Sequence, residues 1–202
     1  MFSFYSTFFD PLLKEVRTYV PRFSGMKKGD SVLDVCCGTG DQAFYYNKIN
    51  AVVAGVDFNP KMIDTAEQRK EKGKYDDVFF LLSDAKNLPF EDDFFDFASV
   101  SLALHETNKE AREGIMSEMK RVVKKKGHLV FIDFSVPLPK KFSSLFINSL
   151  EFLAGKKNFR NFRDYFHDGG LPYVLKKNGL KEEKIDYLEG GLITIIKAKK
   201  SK

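Results

Sequence analysis

The sequence predicts an α/β protein, one domain built on a doubly wound seven-stranded sheet. The sheet should be mostly parallel, with a C-terminal antiparallel strand and helices on both faces. Three observations predict it. Short, continuously apolar runs at 31–35, 51–57, 78–82, 94–103 and 127–134 alternate with helical patterns. Continuous apolarity means burial on both faces, as in parallel strands covered by right-handed crossover helices. The chain has 202 residues, which suits one such domain. Near the end, Gly190-Gly191 separates strand-like runs at 184–188 and 192–198, a hairpin signal that adds an antiparallel pair.

The elements follow in order. Lys28-Gly29-Asp30 turns the chain into the first strand. Cys36-Cys-Gly-Thr-Gly40 is a glycine-containing loop, and Asp41 opens a helix over 41–47 with an acid near its positive end. Pro60, in the favoured first helical position, opens a helix that runs to about residue 72. A further helix is expected over 108–124, with Lys124, Lys125 and Lys126 complementing the dipole at its C-terminus. After residue 134 the rhythm breaks. Apolar residues at 142, 145, 146, 150 and 153 have helical spacing, 158–166 mixes aromatic and basic residues, and 170–178 reads as a helix stopped by Gly179. The organisation expected is an N-terminal helix or lid (1–28), a ligand-binding core (29–135), a cap insertion (136–180) and a terminal strand pair (181–202).

Composition narrows the function classes. With 43% hydrophobic and 30% charged residues, the chain can bury a core and remain soluble. Its two cysteines are adjacent, so no disulfide framework can form and a reducing, cytoplasmic setting is expected. No apolar run reaches the ~18–20 residues of a membrane span, and Asp10 and Pro11 interrupt the first twenty residues, a poor secretion signal. Charge is uneven. The net is +5, but residues 1–108 carry −5 and residues 109–202 carry +10. A basic half suits an anionic membrane surface or nucleic acid, or places lysines on a solvated face.

In an open parallel sheet, ligands bind outside the carboxyl ends of the strands. Gly38-Thr-Gly40-Asp-Gln-Ala43 follows the first strand and fits G-x-G-x-x-A. Asp57 then ends the second strand at the spacing of a ribose-binding acid. That pattern proposes an adenosine ligand without choosing a dinucleotide over another. Electrostatics discriminates further. A pyrophosphate would meet Asp34 and Asp41, and a like-charge pair near ~4 Å costs about 4 kcal/mol at an effective dielectric of ~20. Two carboxylates instead suit a ligand carrying an ammonium and a sulfonium.

Five ordered segments carry a family resemblance. They are Val32-Leu-Asp-Val-Cys-Cys-Gly-Thr-Gly40, Gly55-Val-Asp57-Phe-Asn-Pro-Lys-Met62, Asp84-Ala-Lys-Asn-Leu-Pro-Phe90, Phe94-Phe-Asp96 and Lys120-Arg-Val-Val-Lys-Lys-Lys-Gly127. Together they resemble a class I S-adenosylmethionine-dependent methyltransferase with a Rossmann-like core, over about residues 29 to 135. Asp84 to Phe90 and Phe131-Ile-Asp-Phe-Ser135 are similar to the ubiquinone/menaquinone-biosynthesis (methyltransferase type 11) branch. Bacterial phosphatidylethanolamine N-methyltransferases share much of this pattern. The chain departs from the quinone enzymes in a shorter N-terminal region and after Val136, the segment that faces substrate in that branch.

The resemblance implies S-adenosyl-L-methionine as cofactor and no metal. It places Asp34, Gly38, Thr39 and Gly40 around the methionine end. Asp57 would take the ribose hydroxyls, with Phe58 and Met62 on the adenine. Asp84 and Ala85 would meet the adenine edge, and Ser101 and Leu102 would floor the site near the sulfonium. Met62 also has the spacing of a core residue, and Phe58 could simply cover the sheet edge. His105 follows the fourth strand and is a candidate base, or else a hydrogen-bonded wall residue. Cys36 and Cys37 read as small residues in a tight loop. Asp96 reads as structural.

The acceptor is expected to be a small apolar molecule, a quinol ring carbon or a lipid amine. Tyr5 and Phe9, in an N-terminal aromatic cluster, are candidate lid residues, as are Phe142 and Phe146 in the cap. Aromatic residues beside Lys140, Lys141, Lys156, Lys157, Arg160 and Arg163 suit peripheral contact with an anionic membrane, or an ordinary cap with its lysines in water. A nicotinamide oxidoreductase, and a methyltransferase acting on protein or nucleic acid, are the alternatives. No Asn-Pro-Pro-Tyr signature for flipped-base amines is present, which disfavours nucleic acid.

Overall fold

The computed structural model describes the backbone of residues 2–139 and 156–201, and side chains over 13–139 and 159–201. The lid and cap residues Tyr5, Phe9, Phe142 and Phe146 therefore lie outside the described side chains. Helix α1 spans Phe2–Ser24, followed by β1 Ser31–Val35, α2 Asp41–Asn47, β2 Val52–Asp57, α3 Pro60–Gly73, β3 Val78–Leu82 and β4 Phe95–Ser101. A 3-10 turn at Leu104–Glu106 leads into α4 Lys109–Val122 and β5 Val123–Phe134. Next come α5 Lys156–Asp168, α6 Gly170–Lys177, β6 Leu180–Leu188 and β7 Ile193–Lys200.

The seven strands form one sheet in the order β3-β2-β1-β4-β5-β7-β6. All neighbours from β3 to β5 run parallel, and β7 runs antiparallel to both β5 and β6. The expected doubly wound sheet with one antiparallel C-terminal strand is thus present. The Gly190-Gly191 reversal is a 3-10 turn, Glu189–Gly191, whose three residues all have positive φ.

Alternation along the strands builds two cores. Leu33, Val35, Leu129 and Phe131 point to one face and pack with Met116 and Met119 of α4 and with Leu171 and Val174 of α6. Val32, Val53, Val130 and Ile132 point to the other and pack with Phe44 and Tyr46 of α2 and with Val16, Val20 and Phe23 of α1. The α1 residues repeat at four and three positions, one helical face. Tyr19 hydroxyl of the same helix donates to Asp186 on β6 at 2.7 Å.

Caps set two boundaries. Asn59 accepts the Lys61 amide ahead of α3, and Asn108 accepts the Ala111 amide ahead of α4. At the other end of α4 the expectation is corrected. Lys124, Lys125 and Lys126 belong to β5, not to the last helical turn, because Val123 is already extended and pairs with Phe95. Lys120 and Arg121 occupy that turn instead. Lys124 bridges to Asp96 at 2.7 Å, and Asp96 also accepts the Ser31 amide and hydroxyl at 3.0 and 2.8 Å. Asp96 therefore ties the starts of β1, β4 and β5 together.

Candidate active site

The order β2-β1-β4 places strands leading to opposite faces side by side at β1, and their carboxyl ends share one edge. The register aligns Val35 with Val56 and Val100, Asp57 with Leu82, and Ser101 with Ile132. The predicted cofactor residues lie in the last two residues of these strands (Asp34, Asp57 and Ser101) or in the segments that follow them.

The loop after β1 is built by hydrogen bonds and glycine. The Cys37 amide donates to Val56 carbonyl at 2.9 Å, and the Gly40 amide to Cys37 carbonyl at 3.0 Å. Gly40 has φ 78°, and a Cβ there would lie 2.4 Å from Phe80 Cζ, so only glycine fits. Gly38 has φ 53°, and a Cβ there would meet nothing within 4 Å, so the space above the loop is open. Asp57 braces this loop: Oδ2 accepts the Gly38 amide and Oδ1 the Asn59 amide, each at 2.9 Å. Each oxygen retains acceptor capacity for a vicinal diol. Phe58 is 77% exposed beside it, and Met62 is half-buried on the first turn of α3.

Beyond β3, the Ser83 amide donates to Asp57 carbonyl at 2.9 Å and draws this loop alongside. Asp84 is exposed and accepts the Lys86 amide at 2.9 Å, while Ala85 is buried. Leu102 follows β4 at φ 52°, and its amide donates to Ile132 carbonyl at 2.8 Å. That left-handed residue turns the chain across the strand ends and brings His105 to β5.

The two acids of the electrostatic argument differ. Asp41 does not stand open to a ligand: it bonds Arg69 at 2.6 Å, lies 3.8 Å from Arg17 and accepts the Thr39 hydroxyl at 2.8 Å. Although burial opposes it, these partners hold its carboxyl below the usual range. Its charge is already matched, which corrects the expectation that it repels phosphate. Arg69 also donates to Thr39 carbonyl and hydroxyl, so Thr39 anchors the loop. Asp34 is the open case. Oδ1 accepts the Ser99 hydroxyl at 3.1 Å, and Oδ2 is buried without a hydrogen-bond partner. Burial pushes its pKa up to about 7, against the Ser99 hydroxyl, the Ala43 amide and the charge of Arg17. A cation nearby would restore the ionised form. The orphaned oxygen, the open glycine and the Asp57 brace fit an amino-acid-bearing nucleoside such as S-adenosyl-L-methionine. Burial raises both neighbouring thiols, Cys36 to about 12, so they are poor nucleophiles in this loop.

His105 is 3% exposed. Its Nδ1 lies 2.5 Å from Oδ1 of Asp133, a buried residue of β5. The ring meets Phe134, Phe162 and Tyr165 edge-on. Arg112, also buried, donates to Leu104 carbonyl at 3.0 Å and Thr107 carbonyl at 2.7 Å and clamps the 3-10 turn. Sequence reading names neither Asp133 as the histidine's partner nor Arg112. The signal for Asp133 is a single acid inside an apolar strand buried on both faces.

Among the described residues no three His, Cys, Asp or Glu side chains are grouped to hold a metal ion, and no helix is long and apolar enough to cross a membrane.

Known proteins resemble this chain in sequence and in fold. The ubiE/COQ5 methyltransferase family matches residues 12–200. A demethylmenaquinone methyltransferase of Bacillus subtilis is 29% identical over 195 residues, covering 89% of this chain and 83% of the relative. A 2-phytyl-1,4-naphtoquinone methyltransferase of Trichormus variabilis is 28% identical, covering 80% and 64%. Among solved structures, a SAM-dependent methyltransferase of Aquifex aeolicus has a TM-score of 0.66 at 22% identity, covering 90% and 88%. Geranyl diphosphate C-methyltransferase of Streptomyces coelicolor, solved with S-adenosyl-L-homocysteine, has a TM-score of 0.69 at 16% identity, covering 95% and 82%. These two likenesses show the fold. Fold, loop and family together define a class I S-adenosylmethionine-dependent methyltransferase. The chain belongs to the ubiE/COQ5 methyltransferase family.

Proposed function

We propose that the protein methylates a ring carbon of a reduced quinone, a small apolar acceptor. The observation that carries this is the buried His105–Asp133 pair beside the cofactor floor at Leu102. A ring carbon must lose a proton after it gains a methyl group, and a histidine held by a carboxylate is a base suited to that step. The quinone substrates in the names of the Bacillus and Trichormus relatives support the same class.

When bound, S-adenosyl-L-methionine supplies a methyl group activated by a sulfonium, which leaves as a neutral thioether. The chain's work is alignment, worth up to ~7–11 kcal/mol in favourable cases. Asp57 takes the ribose diol, and Asp34 with the Gly38–Gly40 loop holds the amino-acid end. Phe58 and Met62 flank the adenine, with Asp84 and Ala85 at its edge. Ser101 and Leu102 floor the reacting centre, and His105 accepts the proton the acceptor loses.

An apolar acceptor calls for an apolar cover. Tyr5, Phe9, Phe142 and Phe146 are assigned to it, and the chain is read as cytoplasmic and peripheral to an anionic membrane. Exposed Arg160 and Arg163 beside half-buried Phe159 on α5 support that placement. Recovery with anionic vesicles at low salt would sustain the membrane part, and none would remove it.

Calorimetric titration tests the cofactor assignment. S-adenosyl-L-methionine and S-adenosyl-L-homocysteine should bind and NAD should not. Asp57→Ala should weaken S-adenosyl-L-homocysteine binding about 10- to 100-fold, the loss of hydrogen bonds to a charged acceptor. The acceptor is tested by methyl transfer to a dithionite-reduced 2-prenyl-1,4-naphthoquinone against phosphatidylethanolamine. Turnover of the lipid alone would overturn the quinol reading.

A further inference from the structure

A polar cluster is enclosed in the apolar core beneath the glycine loop. Asp34 and Ser99 are paired across β1 and β4. By alternation with Val32 and Phe97, their side chains lie on the sheet face that packs against α1 and α2. Tyr46 enters the same core from α2 and is 0% exposed. Gln42, one turn earlier on the same helical face, donates to Arg17 carbonyl of α1 at 3.2 Å and holds that face inward. Two atoms of the cluster are buried without hydrogen-bond partners, Asp34 Oδ2 and the Tyr46 hydroxyl. Ser99 donates to Asp34 Oδ1 at 3.1 Å, and Ser99 and the Asp34 charge are the side chains that act on the phenol. A phenylalanine would fill the same space among Val16, Val20 and Val53 with no polar atom to satisfy. The hydroxyl is therefore a cost to this core unless it gains an acceptor. Ionised Asp34 only accepts, and its Oδ2 needs a donor.

We propose that Tyr46 is a positioning residue for cofactor binding: its phenol donates to Oδ2 of ionised Asp34 and keeps that acid as the counter-charge of the cofactor's ammonium. This rests on the assignment of Asp34 to the amino-acid end of the cofactor above. The proton of Asp34 leaves to solvent as the ammonium arrives, and no covalent bond to carbon or sulfur changes. The phenol keeps its own proton, because burial and the Asp34 charge both hold its pKa well above the ordinary value. The other groups facing Asp34 are Arg17 from α1, Asp41 and the Ala43 amide from α2, and the Cys36 and Cys37 thiols of the loop. None of these donates to Oδ2.

Calorimetric titration of the full-length protein at about pH 6 and about pH 9 tests this with two probes. S-adenosyl-L-homocysteine carries the amino-acid end, and 5′-methylthioadenosine lacks it. Tyr46→Phe should weaken S-adenosyl-L-homocysteine binding about tenfold at pH 6, the loss of a hydrogen bond to a charged group. At pH 9, where Asp34 is ionised with or without the phenol, the loss should be less than about twofold. The Kd for 5′-methylthioadenosine should stay within about twofold at both pH values. A merely structural role would weaken both probes at both pH values, and that result would overturn the proposal. So would unchanged S-adenosyl-L-homocysteine binding at pH 6. Asp34→Asn separates the two readings. It should weaken S-adenosyl-L-homocysteine, spare 5′-methylthioadenosine and leave Tyr46→Phe without further effect. If it spares S-adenosyl-L-homocysteine, the assignment of Asp34 fails and the role of Tyr46 fails with it. If it weakens that ligand at pH 6 and Tyr46→Phe does not, Asp34 keeps its role and only that of Tyr46 is overturned.

Discussion

Asp34 is the residue whose chemistry depends most on what binds beside it. Its folded value near 7 lies above the ordinary 3.8, so the folded chain keeps a proton that the unfolded chain releases. Stability from this group is complete below about pH 4 and is lost as the pH rises through about 7. The total loss is about 4 kcal/mol. Thermal unfolding from pH 4 to 8 should show this slope, and Asp34→Asn should flatten it. A cationic ligand reverses the logic by favouring the ionised form. Binding of S-adenosyl-L-homocysteine should tighten by up to about tenfold per unit as the pH approaches 7 from below, measured by calorimetry at pH 5, 6 and 7.

Among the elements, Arg121 holds the segment between β3 and β4 onto α4. It bonds Glu118 and Asp92 at 2.7 and 2.8 Å and donates to Phe90 and Leu88 carbonyls at 2.7 and 3.0 Å. Glu118 in turn accepts the Leu88 amide at 2.8 Å. Asp84 and Ala85 lie just before this clamp. Arg121→Ala should cost about 1–3 kcal/mol and speed hydrogen exchange at Leu88 more than at β1, read by mass spectrometry or NMR. Each component was visible in the sequence as a charge on a helix or loop. Their pairing was not, because α4 and the loop meet only once β4 and β5 are side by side. The same applies to Asp41. Read alone it repels anions; folded, it faces Arg69 across from α3 and Arg17 from α1.

For the whole molecule, ligand binding and stability are one equilibrium. S-adenosyl-L-homocysteine at 100 times its Kd should stabilise the native state by about 2.7 kcal/mol. In a chain of this length that raises Tm by about 5–10 °C, which differential scanning fluorimetry would detect. NAD at the same concentration should leave Tm unchanged.

The amino-acid order alone specified the local units. The continuous apolar strands, the glycine loop 38–40, the acid ending β2 and the Gly-Gly reversal all act through neighbours a few residues away. Periodicity and backbone conformation therefore reveal them. Tertiary structure decided what each charge means. It left Asp34 with an unsatisfied oxygen in a buried site, gave Asp41 two arginines, moved Lys124 from a helix end to a strand paired with Asp96, and set Asp133 against His105. Charge and proton position depend on desolvation and on partners distant in sequence, and a chain acquires those only when the sheet closes and brings its strand ends to one edge.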